Sequence, residues 1–213
     1  ITSGLPPGVV IVGLPDKAIK EAGERVKAAL ISSGLSLPPR RIIVNLAPAD
    51  LPKEGSHYDL PIALALMATI GAFPADALDG YVAIGELGLD GRLARVDGVL
   101  PAAIAAHGRD LGIICPAPSG PEAAWAGDDI EIVAPETLLA LVNHLGGYQL
   151  CPRPLPRRRE LAAGLPDLCD VRGQEVARRA LEVAAAGGHN LLMVGPPGAG
   201  KSMLAQRLPS ILP

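Results

Sequence analysis

Eight residues near the end of the chain carry the clearest chemistry: Gly195, Pro196, Pro197, Gly198, Ala199, Gly200, Lys201 and Ser202. They fit G-x-x-x-x-G-K-[ST] at every fixed position, between the apolar run LLMVG and the start of a predicted helix, Lys201 to Leu208. Glycines in such a loop let backbone N–H groups close on phosphate oxygens without obstruction by a Cβ. Lys201 would neutralise the terminal phosphates of ATP, Ser202 would ligate the accompanying Mg²⁺, and the positive end of the helix would add to both. Splitting the triphosphate also requires an acidic strand end to hold the metal and orient water, and commonly an arginine from a neighbour. The eleven residues after Ser202 hold no Asp or Glu. The expectation is a cradle without catalytic residues, in a chain cut within the first third of an ATPase module.

Upstream, other residues invite chemistry with less support. His57 and Asp59 sit together in the polar stretch LPKEGSHY(D), but two side chains are too few for a metal site, and local capping or hydrogen bonding is the favoured reading. Glu86 and Asp90 flank a turn and read as turn and solvent residues. His107 and His144 fall near predicted helix C-termini, where imidazole meets the helix dipole. Cys115, Cys151 and Cys169 are odd in number and widely spaced, the pattern of free thiols in a cytosolic protein.

These groups need elements to position them. GVVIVGLP (8–15) reads as a buried strand, and Asp16 as the N-cap of a helix carrying Ala18, Ile19, Ala22, Val26, Ala29 and Leu30 up to Gly34. RRIIVNLAP (40–48) is the next strand, and Asp59 is expected to cap the apolar helix LPIALALMATIGAF. YVAIGELGLDGRLARV (81–96) predicts a hairpin around GLDG. A small-residue helix from Gly98 to His107, strands in LGIICP and DIEIVAP, and a helix from Glu136 to Leu145 follow. Alternating strands and helices give an α/β or α+β domain over residues 1–147. Residues 148–167, with four prolines and the run Arg157, Arg158 and Arg159, read as a linker, the arginines being a solvated cluster in preference to a nucleic-acid site. A second unit, 168–213, then offers a helix ending at Gly187 and Gly188, and LLMVG as a buried strand.

Composition narrows the function further. The 213 residues are 49% hydrophobic but only 2% aromatic, so the core must be aliphatic. No apolar run reaches the ~20 residues of a membrane helix. A net charge of −3, with one Trp, one Phe and three Tyr, provides neither a basic footprint nor a stacking platform for nucleic acid. Any DNA contact is expected outside this chain. The opening ITSGLPPG, without Met or a signal-like start, is expected to follow further residues upstream.

VRGQEVARRALEVAAAGGHNLLMVGPPGAGKSMLAQRLPSILP resembles the start of the AAA+ module of magnesium-chelatase-like ATPases, in which Val171 to Gln174 would lie near the adenine. GLPPGVVIVGLPDKAIKEAGERVKAALISSG, IIVNLAPADLPKEGSHYDLPIALALMATIG and AIGELGLDGRLARVDGVLPAAIAAHG resemble the front domain of the YifB/ComM family. That domain is similar to the proteolytic domain of Lon proteases, with a ribosomal-protein-S5 domain 2-like fold. The resemblance implies a bacterial cytoplasmic ATPase that forms a ring homo-oligomer, a hexamer, uses ATP and Mg²⁺, and drives DNA branch migration or unwinding in recombination and natural transformation (competence). It implies no protease activity, because the Lon serine position falls on His57 and the Lon lysine position on Leu100; Ser56 lies one place off, and Lys53 nearby. Two alternatives are a magnesium chelatase ATPase subunit and a front domain that only organises a ring.

Overall fold

β-Branched residues in GVVIV favour an extended, pleated chain, and β1 (Gly8–Val12) pairs in parallel with β2 (Arg41–Asn45), Gly8 opposite Arg41 and Val12 opposite Asn45. Parallel neighbours need a crossover, which α1 (Lys17–Ser32) supplies. The computed structural model describes residues 8–13, 15–157 and 165–212. The chain divides into two compact units, residues 1–157 and 158–213.

The start of α1 is set locally. Asp16 is extended at φ −69° and ψ −174°, and its carboxylate accepts the Ile19 N–H at 2.8 Å. Ile19, Ala22, Val26, Ala29 and Leu30 form the buried stripe. Gly34, at φ 79°, turns the chain out of the helix as its N–H bonds the Ile31 carbonyl.

α2 (Asp59–Thr69) is apolar on nearly every face and buries Leu60, Ile62, Ala63, Leu64, Leu66 and Met67. Asp59 does not cap it. A 3₁₀ turn, Ser56–Tyr58, runs directly into the helix, Tyr58 takes the cap position with helical dihedrals, and Asp59 becomes the first helical residue with its side chain turned inward.

The hairpin expected over 81–96 is smaller than its sequence pattern. β3 (Tyr81–Ala83) leaves it for another sheet, and only β4 (Glu86–Leu87) and β5 (Leu93–Ala94) pair antiparallel across the turn. The break falls at Gly85, whose N–H bonds the His57 carbonyl and where a Cβ would stand 2.9 Å from Leu60 Cδ2. α3 (Val99–His107) then leads to β6 (Gly112–Ile114). α4 (Gly120–Ala123) leads to β7 (Ile132–Val133). β3, β6 and β7 form a parallel sheet in that order. α5 (Leu138–Leu145) is capped by Thr137, whose hydroxyl accepts the Ala140 N–H at 3.1 Å. One aliphatic core joins α1, α2, β2 and α5, and a second joins α3, β6 and β7.

Residues 151–157, read from sequence as part of a linker, adopt neither helix nor strand but lie pinned to the first unit. The Cys151 N–H donates to His144 Nδ1 at 3.0 Å, Arg153 donates to the Gly127 carbonyl at 3.1 Å, and Trp125 Nε1 donates to the Arg157 carbonyl at 3.4 Å. Alternating prolines lose little entropy on being fixed in this way. Arg158, Arg159 and the rest of 158–164 lie outside the described residues.

In the second unit a 3₁₀ turn, Leu168–Asp170, precedes α6 (Glu175–Gly187), which ends at Gly188 with φ 61°. α7 spans only Lys201–Ala205, followed by a 3₁₀ turn at Leu208–Ile211. The helix expected to reach Leu208 stops early because the Pro209 ring would collide with the Ala205 carbonyl. LLMVG is not a strand. A strand needs a neighbour for its backbone groups, none pairs with it among the described residues, and Leu192 and Val194 stand 85% and 87% exposed. Only Met193 packs, against the small core of Leu168, Val171, Leu181 and Leu204.

Candidate functional site

The segment from Gly195 to Ser202 is an open loop running into α7. Gly198 and Gly200 sit at φ 81° and 80°, the left-handed region that penalises any side chain. The Lys201 side chain folds back over the loop, its ammonium donating to the Gly195 carbonyl at 2.8 Å and the Pro196 carbonyl at 2.7 Å. Gln174, at the start of α6, reaches across with its side-chain amide to the Ala199 carbonyl at 3.2 Å. Three loop carbonyls are thus held by side-chain donors. Among the described residues the N–H groups of Gly198, Gly200, Lys201 and Ser202 donate to no protein acceptor. Ser202 is exposed. The eight residues proposed from the sequence run through this loop into the first residues of α7, Lys201 and Ser202, and carry those four amides without a protein acceptor and one ammonium. That donor set suits an anion.

The polar residues of the first unit have separate partners. The Ser56 hydroxyl donates to the Glu86 carboxylate, and Lys53, 5% exposed, donates to the Pro48 carbonyl. Glu86, read from the sequence as a turn and solvent residue, is instead a hydrogen-bond acceptor of Ser56. The His57 ring lies against Tyr58, with centroids 4.4 Å apart. Leu100 lies within α3. Asp90 accepts the Arg92 N–H at 3.1 Å, and His107 stands 3.5 Å from Asp129. Among the described residues no group of three His, Cys, Asp or Glu is placed to hold a metal.

Several contacts were not foreseen from the sequence. Asp59 is wholly buried, and Arg25 of α1 grips both its oxygens, Nε to Oδ2 at 2.8 Å and a terminal nitrogen to Oδ1 at 2.9 Å. The Leu87 N–H adds a third, longer bond at 3.3 Å. The carboxylate beside it raises the Arg25 pKa above its ordinary value. A charged residue bordering the buried stripe of α1 was the available signal. The second contact is Gln174 to Ala199, signalled only by a polar residue between Gly173 and a helix. Asp16 also does more than cap: its second oxygen accepts the Gly55 N–H at 3.0 Å, and the amides of Ile19 and then Gly55 hold its carboxyl below the usual aspartate value. Burial pushes the Cys115 thiol up to about 12, with a smaller contribution from Glu122.

Two family models match the chain. One, described as subunit ChlI of Mg-chelatase, covers residues 1–119, and the other, described as magnesium chelatase, subunit ChlI, covers residues 167–213. The chain belongs to the YifB/ComM group of magnesium-chelatase-like proteins. It is 45% identical over 213 residues to the uncharacterized protein YifB of Escherichia coli (strain K12), covering 100% of this chain and 42% of that protein. To the competence protein ComM of Haemophilus influenzae (strain ATCC 51907 / DSM 11121 / KW20 / Rd) it is 44% identical over 212 residues, 97% of this chain and 42% of ComM. An uncharacterized protein of Mycobacterium tuberculosis (strain ATCC 25618 / H37Rv) is 46% identical over 215 residues, again 100% of this chain and 42% of its own length. The chain thus spans about two fifths of the YifB/ComM relatives it matches. Among the described residues, no helix is long and apolar enough to cross a membrane.

Proposed function

We propose that residues 195–202 cradle the phosphates of ATP with Mg²⁺, as the opening part of an AAA+ ATPase module in a YifB/ComM protein that works as an ATP-driven motor on branched DNA. The observation that carries this reading is the loop itself: two left-handed glycines, unused amide donors and the Lys201 ammonium gathered within eight residues. The amides of Gly198, Gly200, Lys201 and Ser202 would bind phosphate oxygens, Lys201 would release its carbonyls to meet the terminal phosphates, and the Ser202 hydroxyl would ligate the metal. Mg²⁺ held by the Ser202 hydroxyl would supply charge neutralisation at the phosphates. The ComM relative is named a competence protein, which supports placing the motor in natural transformation; recombination, a cytoplasmic location and a hexameric ring are further parts of the proposal.

Residues 1–147 serve in this proposal as a Lon-like, S5 domain 2-like front domain that organises the ring without chemistry of its own. His57 and Leu100 at the serine and lysine positions support that role, as do the separate partners of Ser56 and Lys53. Residues 148–167 join it to the ATPase segment, 168–213.

In the full-length protein, Lys201→Ala is expected to abolish ATP turnover, measured as phosphate release; retained turnover would remove Lys201 from the site. The 213-residue chain alone is expected to bind Mg·ATP weakly and hydrolyse it negligibly. The family descriptions name a magnesium chelatase subunit, which favours porphyrin metallation as a second reading. Branched-DNA stimulation of ATP turnover, set beside a porphyrin metallation assay, separates the two.

A further inference from the structure

Two features single out Gln174. It is one of two non-glycine residues among those described with positive φ, at 55°, and it follows Gly173 at 69°. A left-handed backbone costs a branched or long side chain free energy and persists where the surroundings demand it. That conformation stands at the head of α6, from which the side chain spans 25 residues of sequence to donate to the Ala199 carbonyl at 3.2 Å.

A trans peptide unit is planar, with its C=O and N–H pointing in opposite directions. Holding the Ala199 carbonyl therefore aims the Gly200 N–H away from Gln174. The loop has few peptide units whose direction matters in this way. Those joining Gly195 to Pro196 and Pro196 to Pro197 carry no N–H at all, and Lys201 holds their carbonyls. The unit between Ala199 and Gly200 does carry one, and Gly200, at φ 80° with no Cβ, offers little resistance to a flip of that plane. A flip would replace the Gly200 N–H, on the side away from Gln174, with the Ala199 carbonyl oxygen, which repels an anion.

We propose that Gln174 is a positioning residue: by holding the Ala199 carbonyl it fixes the Ala199–Gly200 peptide plane so that the Gly200 N–H stays turned to the phosphate side of the loop. This rests on the phosphate-binding reading above and adds the residue that sets the loop's donor direction. Gln174 itself touches no phosphate.

The test uses the isotope-labelled 213-residue chain and Gln174→Met, which keeps the length and the backbone requirement but has no donor. In the ligand-free protein the NOE between Ala199 Hα and Gly200 HN, which reports the plane's orientation, is expected to change. Binding of Mg·ATP, followed by NMR titration, is expected to weaken about tenfold, the worth of one aimed charge-assisted hydrogen bond. Adenosine, without phosphates, is expected to bind both proteins alike. Gln174→Gly, which suits a φ of 55° and also lacks the amide, gives the same readouts if Met disturbs the fold. An unchanged NOE with unchanged Mg·ATP affinity overturns the proposal, and so does an equal loss for adenosine, which would put the role at the base. If the unaltered chain binds no Mg·ATP, the phosphate reading fails, and the NOE still decides whether Gln174 sets the plane.

Discussion

Replacing Asp59 by Ala tests how the first unit is held together. The change removes the acceptor of two short bonds from Arg25 and one longer bond from Leu87 N–H. Breaking a buried ion pair from one side costs about 3–5 kcal/mol, because the surviving charge keeps its desolvation without its partner. Arg25 retains 22% side-chain exposure, so water screens part of that loss and the lower end applies. The Leu87 N–H, in a residue only 2% exposed, is left without an acceptor, but its long bond adds little. The expected cost is about 3 kcal/mol, a large share of the 5–15 kcal/mol that holds a typical domain. Urea unfolding followed by fluorescence suits the measurement, since the chain's one tryptophan, Trp125, lies in the first unit and reports on it alone. The midpoint should fall with the slope unchanged. The double variant Arg25→Met/Asp59→Leu, which removes both charges and fills the space, should recover most of the loss. A cost below about 1 kcal/mol for Asp59→Ala, or a double variant no better than the single, would show that the pair is not what joins α1 to α2.

Two further outcomes are expected. The carboxyl of Asp16 is depressed in the folded state, so its contribution is full above the ordinary aspartate value and disappears as pH falls through the lower folded value. The stability gap between the unaltered chain and Asp16→Ala, measured by urea titration, should therefore be constant from neutral pH down to about 5 and close below about 4; a gap independent of pH would sink this. Cys115 is fully buried with its pKa pushed up to about 12, whereas Cys169 is exposed. Iodoacetamide followed by mass spectrometry should label Cys169 in the native chain and Cys115 only on unfolding; native labelling of Cys115 would mean that the second core opens locally.

Interactions that close within a few residues were legible in the sequence. Asp16 caps α1 by bonding an amide three residues on, Gly34 ends it, and the stripe from Ile19 to Leu30 follows from helical spacing alone. The left-handed glycines and the folded-back lysine between Gly195 and Ser202 likewise act within a few residues of chain. Partner choice was not readable. Asp59 has the composition of a cap, yet its carboxylate goes to Arg25, 34 residues away, because only packing of α1 on α2 brings a guanidinium to that spot. Tyr81–Ala83 alternates like a hairpin arm but pairs with Gly112–Ile114, and LLMVG has the residues of a strand without a neighbour among those described. The proline-rich stretch lies on the first unit because His144, Trp125 and Gly127 offer it a donor and acceptors. Local spacing fixes which turns and helices form; burial and hydrogen-bond pairing over long separations depend on which surfaces meet, and the tertiary structure alone decides that.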